Sequence, residues 1–300
     1  MPARLGTYAS FVRLSHSVFA LPFALTGALL AARLVPFSWT RLAWIVGCMV
    51  MARSAAMGFN RLVDADYDAR NPRTAMRELP RGAMSRREAI GFVIVCSVVF
   101  VLCAGQLGWL CLALSPVALA IVFWYSLAKR FTSYTQVFLG VAMAVAPMGG
   151  WIAAGGPLRL EPWLLGFAIG TWVAGFDVLY ACQDLDVDRR EGLQSIPVRF
   201  GIATSLWISR AMHVATVAAL FAVGQQAGLG RIYLGGVVAV ALLLIYEQSL
   251  VSEHDLSQVK RHQELWLYRK PKQQLSNMDP DNPTHLIYKP NHSLLLYSFR

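Results

Sequence analysis

The chain has 300 residues, of which 56% are hydrophobic and only 15% charged. That balance excludes an ordinary soluble domain and fits a polytopic membrane protein. The formal net charge of +10 does not mark a nucleic-acid binder, because no basic run is interleaved with aromatics on a polar face; basic loops at the cytoplasmic side of a membrane account for it.

A membrane span needs about 20 mostly apolar residues. In chain order the candidates are 16–35, 42–59, 89–106, 109–127, 134–154, 162–182, 204–223 and 232–250, eight in all. Arg4 and Arg13 precede the first of them, and no small-residue cleavage site follows, so a retained first helix is expected rather than a signal peptide. Pro22, Pro116 and Pro147 sit inside apolar runs and predict kinks, since neighbouring helices can satisfy the carbonyls a proline frees. Gly166 and Gly170 form a GxxxG pair, which predicts a close helix crossing. Cys48, Cys96, Cys103, Cys111 and Cys182 lie in or beside apolar segments, with no CxxC pair, and read as small buried residues.

The connections alternate in character. Segments 60–88, 128–133 and 183–203 are charged, while those near 36–41, 107–108, 155–161 and 224–231 are short and poor in charge. The first charged segment carries Arg61, Arg70, Arg73, Arg77, Arg81, Arg86 and Arg87, and Lys129 and Arg130 mark the second. The positive-inside rule puts these segments in the cytoplasm, with the N-terminus. The reading is therefore an all-α, polytopic bundle over residues 1–260, with residues 261–300 as a polar, proline-containing tail that has no run long enough to span.

Two stretches stand out against this greasy background. "NRLVDADYDARNPRT" (60–74) follows the second span, and "YACQDLDVDRREG" (180–192) follows the sixth. Each carries a D-x-D-x-D pattern, Asp64, Asp66 and Asp68 in the first and Asp184, Asp186 and Asp188 in the second. Four spans separate them, so both fall on the same side of the membrane. If the second span continues as a helix, Asn60, Asp64 and Asp68 share one face and Asp66 points away; Asp184 and Asp188 repeat the arrangement, with Asp186 turned outward.

Carboxylates converging at a membrane boundary repel one another, and their burial without counter-charge costs several kcal/mol each. A hard divalent cation removes the conflict. Mg²⁺ takes oxygen ligands and is commonly shared between carboxylates and a substrate phosphate, so a Mg²⁺-bridged diphosphate explains two facing acidic pairs. Arg73, Lys129 and Arg130 lie on the same side and are suited to phosphate oxygens. In "FWYSLAKRFT", Tyr125 and Lys129 are four apart and share a helical face. The bland alternatives are a solvated acidic helix end for either motif and a positive-inside anchor for Lys129 and Arg130.

These pieces together resemble the UbiA superfamily of intramembrane prenyltransferases. The resemblance is carried by "HSVFALPFA" (16–24), the N-x-x-x-D-x-x-x-D of "NRLVDADYD" with its following "NPRT", "YSLAKRFT", and "YACQDLDVD" followed by "GLQSIPVRFG". It covers about residues 10–260 and is closest to 4-hydroxybenzoate polyprenyltransferases, with the related enzyme of the futalosine route to menaquinone as an alternative. It implies nine helices around a central cavity that opens to lipid, against the eight spans read here. It also implies Mg²⁺ as cofactor, with Asn60, Asp64, Asp68, Asp184 and Asp188 as metal positions and the four aspartates as catalytic ones. Asn60, Arg73, Tyr125, Lys129 and Arg130 match positions that hold the diphosphate. The implied substrates are a polyprenyl diphosphate and an aromatic acid, in the inner (cytoplasmic) membrane, with membrane lipid around the bundle and the active site facing the cytoplasm. After "YEQSLVSEHDLSQVK" the last forty residues depart from the family and provide no ninth span. From a different class, a transporter would need polar residues through the midplane, of which spans 89–106 and 232–250 offer almost none, and a non-catalytic relative could retain the acidic motifs.

Overall fold

The computed structural model of the chain describes Tyr8, Phe11, Val12 and residues 14–70 and 74–251. Among these residues there is no strand, and nine helices follow in order: α1 (Leu14–Ala31), α2 (Trp39–Arg70), α3 (Arg86–Leu107), α4 (Trp109–Ala128), α5 (Thr135–Ala153), α6 (Glu161–Gln183), α7 (Leu185–Arg190), α8 (Ile196–Gln226) and α9 (Arg231–Ser249). All eight expected spans form helices. Seven described helices are long and apolar enough to cross a membrane, whereas the apolar stretch described within α1, Leu21–Ala31, is shorter. The first span was expected to reach residue 35, but α1 ends at Ala31, and Pro36 lies in the short turn that leads into α2.

The helix ends follow from local chemistry. Ser85 begins α3 with a capping box: its hydroxyl accepts from the Glu88 backbone N–H, and the Glu88 carboxylate accepts from the Ser85 N–H. Pro162 and Pro197 stand in the first turns of α6 and α8, where a missing N–H costs nothing. Gly201, at φ 78°, breaks α8 into a short N-terminal piece and a long span, so the helix starts earlier than its apolar run predicts.

α6 packs between α5 and α8, α1 lies against α5, α2 pairs with α3, and α9 leans on α8. Between lipid-facing helices the hydrophobic effect drives little, so backbone approach decides the packing. A Cβ at Gly140 would stand 2.4 Å from the Gly170 carbonyl oxygen, and one at Gly150 would stand 2.0 Å from that of Ala24. Glycine is therefore required where α5 crosses α6 and α1. The buried core beside these crossings joins Leu139, Met143, Leu165, Ile169, Val173 and Val223.

α2 has 32 residues and is about 48 Å long, well beyond the roughly 30 Å of a bilayer's hydrocarbon. Its last turns emerge at the polar edge and carry the first acidic motif with them. The end of α4, the start of α5, the end of α6, α7 and the start of α8 meet at that same end. Gln194 ties them: its N–H donates to the Lys129 carbonyl (3.1 Å), and its own carbonyl accepts from the Thr135 hydroxyl (3.1 Å). Arg70 and Glu191 link the ends of α2 and α7 at 3.9 Å. Both acidic motifs thus lie at one end of the bundle.

Candidate active site

Continued helix through residue 70 aligns Asn60, Asp64 and Asp68 on the inward face, and all three are buried. Asp66 is turned out, with 76% of its side chain exposed, and pairs with Arg86 at the start of α3. In the second motif Asp184 caps α6 with non-helical backbone, and α7 resumes behind it, with one bond across the break, Asp188 N–H to the Asp184 carbonyl at 2.8 Å. Asp188 is buried and its carboxylate accepts from the Ser195 hydroxyl at 3.2 Å; Asp184 is half-buried and Asp186 exposed.

Two of the buried acids, Asp64 and Asp68, are held by cations. Lys129 Nζ donates to Asp64 Oδ2 at 2.7 Å, from a side chain 22% exposed to one only 2% exposed. Arg130 Nη2 donates to the Val63 carbonyl at 2.7 Å and stands 3.5 Å from Asp64 Oδ1, with its guanidinium over the Tyr67 ring. Arg77 Nη1 reaches both oxygens of Asp68, at 2.8 and 2.7 Å. Among the described residues no group of three or more His, Cys, Asp or Glu side chains is close enough to hold a metal ion. The acids therefore do not form a ready-made cage; each has turned to a partner of its own.

The donor chemistry still suits a metal completed by substrate. Mg²⁺ binds through one or two carboxylates plus phosphate oxygens and does not require a full protein cage. Polar groups left over at this end point the same way. Arg130 Nε, Gln183 Nε2 and Ser126 Oγ are buried with no hydrogen-bond partner in the described structure, and they flank Lys129 and Asp184. Orphaned donors are costly in an apolar medium, and an anion with several oxygens is chemically suited to them.

Tyr125 sits one turn before Lys129, half-buried against the core of α5 and α6. Arg73 lies outside the described residues. One functional candidate escaped the sequence reading. Arg53 belongs to the apolar part of α2, seven residues before Asn60 and eleven before Asp64, hence on the same face. It carries a buried guanidinium nitrogen and lies within electrostatic reach of Tyr125. An arginine inside a span at helical spacing from an acidic face is the signal that would have found it. A second feature is an aromatic ladder along α6: Trp172, Phe176 and Tyr180 follow at four-residue steps and lead to Asp184. Neighbouring rings stand 5.8 and 6.2 Å apart, and Phe23 of α1 joins Trp172 at 5.8 Å.

The model of the UbiA prenyltransferase family matches residues 20–268. The chain belongs to the UbiA prenyltransferase family. As a UbiA protein with seven long apolar helices among its described residues, it is an integral membrane protein. It is 34% identical over 224 residues to the 4-hydroxybenzoate octaprenyltransferase of Aeromonas salmonicida (strain A449), covering 75% of this chain and 77% of that one. The apo structure of a UbiA homolog from Aeropyrum pernix K1 superposes with a TM-score of 0.75 at 37% identity, covering 83% of this chain and 92% of that one. A UbiA homolog from Archaeoglobus fulgidus, solved bound to GPP and Mg²⁺, shares the fold at TM-score 0.70 and 19% identity, over 84% and 90% of the two chains.

Proposed function

We propose that this UbiA prenyltransferase moves a polyprenyl group from its diphosphate to an aromatic acid, with 4-hydroxybenzoate as the acceptor and quinone biosynthesis as the setting. The observation that carries this reading is the pairing of Asp64 with Lys129 and Asp68 with Arg77. Buried acids and their counter-cations share one end of the bundle, an arrangement suited to a metal-bridged diphosphate. Similarity to 4-hydroxybenzoate octaprenyltransferases supports the choice of acceptor.

Asn60, Asp64, Asp68, Asp184 and Asp188 supply hard oxygen donors and would hold Mg²⁺. When bound, the metal would neutralise charge building on the leaving diphosphate. Lys129 and Arg130, with Arg73, would bind the diphosphate oxygens. As the allylic C–O bond breaks, electrons leave with the diphosphate and a prenyl cation remains. The electron-rich ring carbon beside the phenol hydroxyl attacks it, forming the C–C bond, and the ring proton then departs to restore aromaticity. The faces of Tyr180 and Phe176, one and two turns from Asp184, are placed to stabilise the cation, and the apolar surroundings keep water from quenching it. Arg53 is suited to the carboxylate of the aromatic acid, a charge that needs a partner inside an apolar bundle. The prenyl tail remains in lipid-facing apolar surface, which accounts for the membrane setting.

In this reading the acidic end faces the cytoplasm, because the arginine-rich connections surround it. Incubating membranes that contain the protein with labelled 4-hydroxybenzoate and a series of prenyl diphosphates tests the reaction. Labelled lipid-soluble product supports it, and the best diphosphate gives the chain length. A second labelled aromatic acid in place of 4-hydroxybenzoate serves as the acceptor for the alternative, the futalosine route to menaquinone.

A further inference from the structure

The segment after α2 folds back onto the first acidic motif. Thr74 donates its hydroxyl to the Asp68 carbonyl at 3.0 Å. Arg77 covers both Asp68 carboxylate oxygens, the two side chains being only 13% and 10% exposed. Glu78 pairs with Arg61 at 3.4 Å, both almost fully buried, and Met84, whose N–H donates to the Glu78 carbonyl at 3.2 Å, enters a core with Phe11 and Met57.

This segment is therefore anchored on both sides of Arg77 by contacts that do not involve the Asp68 carboxylate. The Arg77 side chain can change partner while the backbone stays in place. The charges fit such a change. Asp64 is balanced by Lys129, with Arg130 at 3.5 Å, and Asp68 by Arg77, so a divalent metal that takes these two carboxylates must displace a positive side chain. A diphosphate arriving with the metal restores the balance, because the displaced cations then face its oxygens.

We propose that Arg77 is a resident counter-cation and positioning residue. It holds Asp68 in the binding-ready rotamer and excludes metal in the absence of substrate, then transfers from the carboxylate to the diphosphate when the two enter together. Metal binding is thereby coupled to substrate binding. This inference rests on the prenyl-diphosphate reading above.

The test uses the purified full-length protein in detergent, with Mg²⁺ alone and Mg²⁺ plus inorganic pyrophosphate as probes, measured by titration calorimetry. A charge-assisted contact is worth about ten- to a hundredfold in binding. Arg77→Gln is expected to bind Mg²⁺ alone about tenfold more tightly than the parent and pyrophosphate at saturating Mg²⁺ about tenfold more weakly, with Arg77→Lys between. A purely structural arginine would weaken both or change neither, and either result overturns the proposal. Labelling the unmutated protein with phenylglyoxal removes dependence on the folding of a variant. Modification of Arg77 should stay unchanged with Mg²⁺ alone and fall when pyrophosphate is added with it; indifference to the pair, or a response to Mg²⁺ alone, overturns the exchange. If pyrophosphate binds but Arg77 does not respond, only the exchange fails. If pyrophosphate does not bind at all, the diphosphate reading fails with it.

Discussion

Lys129 Nζ bridges from the end of α4 to Asp64 on α2 at 2.7 Å, and Asp64 is almost wholly withdrawn from solvent. A buried carboxylate held by Lys129, with Arg130 farther off at 3.5 Å, is an exchange site as well as an ion pair. Lys129→Ala should raise the KM for prenyl diphosphate about ten- to a hundredfold and leave the aromatic-acid KM nearly unchanged. It should also lower the melting temperature, because the buried Asp64 carboxylate would keep only Arg130, at 3.5 Å, as its counter-charge. A rise confined to the aromatic-acid KM would assign Lys129 to the other substrate.

The burial contrast along α2 gives a second prediction. Asp64 and Asp68 face inward, whereas Asp66 faces out to Arg86. Asp64→Ala and Asp68→Ala should each reduce turnover by about a hundredfold or more, the scale of losing one preorganised electrostatic contact. Asp66→Ala should stay within about twofold, since exposed ion pairs contribute little. Equal loss at all three positions would mean that the helical face is not what selects the working acids.

Arg53 tests the acceptor end of the site. Arg53→Ala should raise the aromatic-acid KM about tenfold or more without a matching change for prenyl diphosphate, because it removes a buried contact to a carboxylate. An acceptor analogue lacking the carboxylate should be used equally by the parent and the variant. Continued preference of the variant for the acid would remove Arg53 from this role.

The fold makes its own prediction at the α5–α6 crossing. Gly140→Ala puts a Cβ 2.4 Å from the Gly170 carbonyl oxygen, so the helices must separate. A loss of about 1–3 kcal/mol in detergent thermostability is expected, as for other overpacked contacts. Gly149→Ala, with open space around the added Cβ, is the matched control and should be near neutral.

Much of this was legible in the sequence, for a physical reason. A helix in apolar surroundings keeps its period, so Asn60, Asp64 and Asp68 could be placed on one face and Asp66 off it before any coordinates. The four spans between them likewise put both motifs at one end, where Arg70 and Glu191 are seen to link them. Partner choice was not legible. Arg77 and Lys129 reach the acids through a folded-back segment and a neighbouring helix, and local periodicity does not encode such pairings. The break at Asp184 was hidden because the sequence pattern continues across it, and the early start of α8 because Gly201 interrupts it. Arg53 was readable but passed over as one charge in an apolar run.

The most direct test of the central claim is a metal-dependence measurement on the purified protein, with 4-hydroxybenzoate, a prenyl diphosphate and detection of both prenylated acid and released pyrophosphate. With EDTA, both products should fall to background. Added Mg²⁺ should restore them in equal amounts, and Asp64→Ala should abolish the restoration. Undiminished turnover in EDTA, or pyrophosphate released without prenylated acid, would contradict the account.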